Sequence, residues 1–341
     1  MLRLRALSLL FMAVAATVLP ACGARTNLVC DRPIPFTPIT PNLYFALDHS
    51  KSMLENGKWG SVGASLQALI VDIGAKARFG AAFFPNPTSS TCDVGVEVMS
   101  VRPGGAETAA TLAQAMTAPP NGGTPTAATL QALLPELQGL VGQTFVILAT
   151  DGGPNCNAAL TCSLDRCTAN IDNISSTCLP GVPPNCCADP GSTVDCLDDA
   201  ATVAAVSALE EAGIPTFVIG VPGSEAYSAV LDAAARAGGT ARGEEPAYYA
   251  VTTSDAAALT AALTQVINQV APACFLKLSQ VVDAPELVVN VGDQRAPGDP
   301  RNGFTVDGAG DKQVLALHGA ACRLAVAGAP VSVHVVDECR H

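Results

Sequence analysis

Short unbroken apolar runs alternate along this chain with longer stretches of helical spacing. Leu43-Tyr-Phe-Ala-Leu47 and Thr144 to Thr150 are continuous apolar runs, the pattern of parallel strands buried on both faces. Arg78 to Phe84 reads as another strand, closed by Pro85-Asn86-Pro87, and Val94 to Val101 alternates, so it is expected to pair with it as an antiparallel edge hairpin. Between them, Ser61 to Lys76 places apolar residues at 62, 66, 69, 70 and 73, a helical spacing. Residues 107–117, 125–139, 197–212, 224–236 and 254–270 also read as helices, with short strands at Thr216 to Gly220 and Tyr248 to Val251. Strands alternating with helices at this spacing predict an α/β fold with a doubly wound, mostly parallel sheet over residues 41–272.

Two regions break the rhythm. Residues 152–196 carry seven cysteines among Asn, Pro, Asp and Ser without periodicity, the pattern of a disulfide-stapled insertion. After Pro272 the runs Leu287 to Val291, Val314 to Leu317 and Val331 to Val336 alternate between Gly, Pro and Asp turns, predicting a small β module over 273–341 with no helix. Ahead of the main domain, residues 22–40 read as an extended tether, because Pro33, Pro35 and Pro38 disfavour helix.

The first residues look like an export signal: Arg3 and Arg5, then an apolar segment from Leu7 to Leu19 too short to span a bilayer comfortably. Leu19-Pro20-Ala21-Cys22-Gly23 resembles a bacterial lipobox, which implies removal of residues 1–21 and lipid on Cys22. Ordinary cleavage nearby, leaving Cys22 a plain cysteine, is the alternative. The count of 13 cysteines favours lipidation, since it leaves 12, an even number suited to an oxidising compartment. Gly23 is not the Asp that favours inner-membrane retention, so by analogy the expected location is the cell envelope at the outer membrane. The rest of the 341 residues contain no run long enough to cross a membrane, so membrane contact is expected only through the anchor. The formal net charge of -12 opposes nucleic acid as a partner.

Three separated segments carry candidate chemistry: Asp48-His-Ser50-Lys-Ser52, Asn121-Gly-Gly-Thr124-Pro125-Thr126, and Thr150-Asp151-Gly152. Each falls at or beside the C-terminal edge of the predicted sheet, where ligands of open α/β sheets sit. Their oxygens suit a hard divalent ion, Mg²⁺ (or Mn²⁺ or Ca²⁺), better than zinc. Thr124 before Pro125 fits a helix N-cap, and Thr126 remains an alternative ligand. The residues are expected on surface loops outside the core. The insertion cysteines lack Cys-x-x-Cys spacing and have no histidine among them, so disulfides are expected rather than a zinc cluster. His49 is expected to face solvent. No P-loop, Gly-x-Ser-x-Gly or His-Glu-x-x-His motif is present, and no enzymatic activity is expected.

Asp48-x-Ser50-x-Ser52, Thr124 and Asp151-Gly152, in this order, resemble the metal-ion-dependent adhesion site of von Willebrand factor type A domains, which have a Rossmann-like fold. The resemblance covers roughly residues 41–272 without the insertion. It implies that Ser50, Ser52 and Thr124 supply hydroxyl ligands and that Asp48 and Asp151 act mainly through water. It also implies that a protein or extracellular-matrix partner completes the shell with an acidic residue. The long insertion after Asp151 departs from the pattern. A structural envelope protein, in which metal and disulfides serve stability alone, is the competing expectation. In such a domain the chain enters and leaves at the face opposite the metal. That implies a Cys30–Cys274 bridge; Cys322 and Cys339 flank a hairpin and are expected to pair within the β module, and because the insertion cysteines number seven, one of them is expected to reach Cys92 on the metal-bearing face. The alternative pairs Cys274 inside the β module.

Overall fold

The computed structural model describes residues 29–338, except 89–90, 271, 309 and 311–312. Two short strands come first, Val29–Pro33 (β1) and Phe36–Pro38 (β2). The central sheet is then built from Asn42–Asp48 (β3), Arg78–Phe84 (β4), Val96–Pro103 (β5), Thr144–Thr150 (β6), Thr216–Gly220 (β7) and Tyr249–Ala250 (β8). Their spatial order is β5-β4-β3-β6-β7-β8, parallel except for β5, which pairs antiparallel with β4. The chain therefore starts in the middle of the sheet, builds to one side, and returns to build the other.

Helices cover both faces. Lys58–Ile73 (α1), Ala106–Ala115 (α2) and Ala256–Ile267 (α7) pack on one, where Leu66, Ile70, Leu112 and Leu263 meet Phe45, Phe79, Phe83 and Ile147. Thr126–Gln138 (α3), Asp199–Glu211 (α5) and Ser228–Ala237 (α6) pack on the other, where Leu130, Leu133, Val206 and Leu231 meet Tyr44, Ala46, Val146 and Leu148. The pleat explains the division, since successive side chains of β3 enter opposite cores. Every residue of β3 and β6 is buried, which is why each reads as an unbroken apolar run. A one-turn helix, Thr168–Ile171 (α4), lies within the insertion.

The remaining strands are Phe275–Leu278 (β9), Leu287–Val291 (β10), Gln294–Ala296 (β11), Phe304–Asp307 (β12), Val314–Leu317 (β13) and Val331–Glu338 (β14). They form two antiparallel sheets, β1-β14-β10-β11 and β12-β13-β9-β2. This module continues one apolar core of the central sheet, with Phe275 5.2 Å from Phe145. No described helix is long and apolar enough to cross a membrane.

Four expectations are corrected here. The tether is not free over its second half: β1 and β2 are edge strands of the C-terminal sheets, and edge positions tolerate proline because no neighbour needs its missing N–H. The module also contains a helix, Gly319–Val326 (α8), whose buried face is Ala321, Cys322 and Ala325. Cys274 pairs with Cys322 at a Cα separation of 5.0 Å, which excludes both Cys30–Cys274 and Cys322–Cys339. The reason is that α8 carries Cys322 down onto the point where the chain leaves the central domain. Finally, His49 is buried, stacked on Phe83 at 5.4 Å and edge-on to Trp59 at 5.0 Å. Cys22 and Cys339 lie outside the described residues.

Ile34, between β1 and β2, is 3% exposed and its N–H donates to the Val333 carbonyl at 2.7 Å. Ile34→Ala is expected to lower unfolding free energy by about 2–5 kcal/mol in urea titrations. An unchanged midpoint would restore the tether.

Candidate metal centre

β3 and β6 are adjacent and parallel, and both end at the same edge, so Asp48 and Asp151 meet there although they are far apart in sequence. Backbone hydrogen bonds then fasten the third segment. Asn121 N–H donates to the His49 carbonyl at 2.8 Å, and Lys51 N–H donates to the Gly122 carbonyl at 3.0 Å.

The side chains form one continuous chain of hydrogen bonds. Asp48 Oδ1 accepts from the Ser50 N–H at 2.8 Å, and Oδ2 accepts from the Thr150 hydroxyl at 2.5 Å. The Ser50 and Ser52 hydroxyls are 3.0 Å apart, and Ser52 donates to Asp151 Oδ1 at 2.9 Å. Asp151 Oδ2 is paired with the Lys58 ammonium at the start of α1. Asp48, Ser50, Thr124 and Asp151 are all buried, which corrects the expectation of surface loops; they lie at the floor of the sheet edge rather than on its rim.

Thr124 is held by its backbone. Its N–H donates to Asn155 Oδ1 at 2.7 Å, and its carbonyl accepts from the Asn155 N–H at 2.9 Å. Among the described residues, none accepts from or donates to the Thr124 hydroxyl. Helix α3 starts two residues later and is capped by Pro125, so Thr124 is not the N-cap expected from its place before a proline. Thr126 turns both its N–H and its hydroxyl toward the Thr124 carbonyl. The close approach also explains Gly123: a Cβ there would lie 2.7 Å from Cys156 Sγ and 2.8 Å from Asn155 Oδ1.

The insertion is the frame of this loop. Cys156 pairs with Cys92, and the remaining insertion cysteines pair among themselves as Cys162–Cys196, Cys167–Cys187 and Cys178–Cys186. Cys162, Cys187 and Cys196 sulfurs cluster within 4.8 Å of one another, but each is already committed to a disulfide and has no thiolate to offer a metal. Asp172 of the insertion accepts from the Tyr227 hydroxyl at 2.5 Å, and Tyr227 in turn packs on Gly153, where a Cβ would come within 2.3 Å of its ring.

Electrostatics sets the chemistry. Burial, then the neighbouring Asp151 charge, pushes the Asp48 carboxyl up to about 7. Burial also raises Asp151, opposed by its hydrogen bond and ion pair with Lys58. Two carboxylates and three hydroxyls are hard oxygen donors, and one buried ammonium leaves part of their charge uncompensated. That donor set fits Mg²⁺, Mn²⁺ or Ca²⁺. Thr150, Asn155 and Lys58 escape a motif search because none occupies a motif position. Thr150 alone had a signal, as the residue preceding Asp151.

The sheet order, with these five positions at or beside its C-terminal edge, is that of a von Willebrand factor type A-like fold. No family model and no curated protein matches the sequence. Several solved structures are similar in fold. The von Willebrand factor domain of the type V pili tip protein Mfa5 from Porphyromonas gingivalis gives a TM-score of 0.45 at 14% identity, covering 67% of this chain and 94% of that one. The pilus adhesin SpaC from Lactobacillus rhamnosus GG, in its open conformation, gives 0.49 at 14% identity, covering 90% of this chain but only 40% of that one. The PilB minor pilin from Streptococcus sanguinis gives 0.42 at 17% identity, covering 67% of this chain and 61% of that one. At these identities each is a likeness of fold and nothing more.

A carboxyl raised by burial makes the metal-free protein pH-sensitive in a defined direction. The folded state holds its proton up to about 7, whereas an unfolded aspartate releases it near about 4. Between those values the folded state binds more protons, so the Asp48 contribution to stability falls as pH rises. In EDTA, the melting-temperature difference between wild type and Asp48→Asn is expected to move against wild type from pH 4.5 to 7.5, by scanning calorimetry. Mg²⁺ should flatten that trend, because it takes the ionised form. A difference that moves in favour of wild type with rising pH refutes the shift.

Proposed function

We propose that this chain is an exported, metal-dependent adhesion-type module of the bacterial cell envelope, anchored by lipid on Cys22. The observation that supports it most is the buried chain Asp48–Ser50–Ser52–Asp151 at the sheet edge. Structural hydrogen bonds alone do not require two buried carboxylates at such a place, and the single Lys58 ammonium offsets the charge of only one of them. Asp48, Ser50, Ser52, Thr124 and Asp151 would hold the ion, with Thr150 and the Ser50 N–H fixing the Asp48 carboxylate. When bound, Mg²⁺ would offer a coordination position to an acidic residue of a protein or matrix partner. The disulfide-braced insertion stands beside the Gly122–Thr124 loop, where it would shape the approach of that partner.

Asp48→Asn and Thr124→Ala are each expected to weaken Mg²⁺ or Mn²⁺ binding at least about 10-fold in calorimetric titration, with far-UV circular dichroism unchanged. Capture of an envelope partner should be lost in EDTA, return with Mg²⁺, and fail with Asp48→Asn. Metal binding that raises the melting temperature but has no effect on any capture favours the structural-envelope alternative. Undiminished metal binding by both variants rejects the site.

The anchor has its own test. Intact mass of the membrane-extracted protein should correspond to a chain starting at Cys22 with acyl groups, and Cys22→Ser should remove palmitate incorporation. A mature protein starting at another residue rejects lipidation.

A further inference from the structure

Lys58 is in an improbable place. It is the first residue of α1, where the helix dipole disfavours a cation, and that helix has no acidic residue in its first turn. Its side chain is 4% exposed, although lysine is almost never fully buried without a partner. The partner is Asp151, itself 1% exposed, and the exposed Glu55 carboxylate stands 3.9 Å from the same ammonium.

The surroundings close over this pair. Gly223, in the loop after β7, has φ +109°, and a Cβ there would come within 3.3 Å of the Lys58 Nζ and 3.2 Å of the Asp151 carbonyl oxygen. The Asp172 carboxyl of the insertion feels the charges of Asp151, Glu55 and Lys58 together. Lys58 is thus the one cationic side chain paired with either buried carboxylate of the metal centre among the described residues.

We propose that Lys58 is a tethered counter-ion that competes with the divalent metal for Asp151. This rests on the metal-binding role proposed above. A fixed positive charge beside a ligand carboxylate opposes entry of a second, doubly positive one, and it lowers the electrostatic gain that metal binding brings. The same ammonium satisfies Asp151 when metal is absent, so the folded site does not depend on the ion. The result is a site of deliberately moderate affinity, loaded where divalent ions are abundant and released where they are scarce. Lys58 acts on the metal through Asp151 and is therefore a positioning residue, not a ligand.

The test is Mn²⁺ and Mg²⁺ titration of the full chain at pH 8 by calorimetry, with Mn²⁺ binding checked independently by electron paramagnetic resonance. Lys58→Met, an unbranched side chain one atom shorter and without charge, is expected to bind Mn²⁺ about 10-fold or more tightly than wild type. It should also melt at a lower temperature than wild type in EDTA and recover on adding Mn²⁺. Lys58→Gln serves if the methionine variant does not fold, with the same expectation, and Lys58→Arg should keep wild-type affinity. If wild type binds Mn²⁺ and the neutral variants bind it equally or more weakly, the counter-ion role is overturned while the metal site stands. If neither wild type nor any variant binds, the metal site and the role of Lys58 fall together.

Discussion

The structure around the sheet edge depends on one constraint: two carboxylates, Asp48 and Asp151, are buried at the ends of adjacent parallel strands. Like charges removed from bulk solvent repel strongly. Everything nearby answers that problem. Thr150 and the Ser50 N–H hold one carboxylate, Ser52 and Lys58 hold the other, and the hydroxyl pair between them joins the two halves. The β3–β6 pairing that creates the difficulty also lies at the heart of the fold, since both strands are buried along their whole length.

The insertion belongs to the same solution. A loop rich in Gly122 and Gly123 gains close backbone approach at the cost of conformational freedom. Here that freedom is removed from outside: Asn155 clamps both backbone groups of Thr124, and the Cys92–Cys156 bridge ties the loop after β4 to the segment that carries Asn155. Three further bridges stiffen a segment that has little apolar core of its own. Covalent links thus do for the rim what packing does for the sheet.

The central sheet was largely legible because its signal is simple. Unbroken apolar runs bounded by turns mark strands such as β3 and β6, and the spacing 62, 66, 69, 70 marks the buried side of α1. The residues that meet at the sheet edge were legible as a spaced motif. The features that escaped are those decided by tertiary context. Lysine and histidine look like surface residues, yet Lys58 is held by the carboxylate that follows β6 and His49 by Phe83 and Trp59. Prolines at 33, 35 and 38 argue against helix but not against an edge strand. The pairing of Cys274 depends on α8, whose Gly-Ala-Ala-Cys start has too little periodicity to announce a helix.

The pairing of β1 with β14 has a consequence for how the molecule comes into being. Asp31 meets His334 across a separation of 303 residues, so the C-terminal module is assembled from both ends of the described chain, with the central sheet threaded between. Closing so long a loop is slow relative to local contacts. The central sheet forms from segments that follow one another closely in sequence, whereas β1 has a partner only once β14, the last described strand, is in place. One ladder between the first and the last described strand thus fastens the two arms of the described chain to each other, and with them the module to the sheet it flanks.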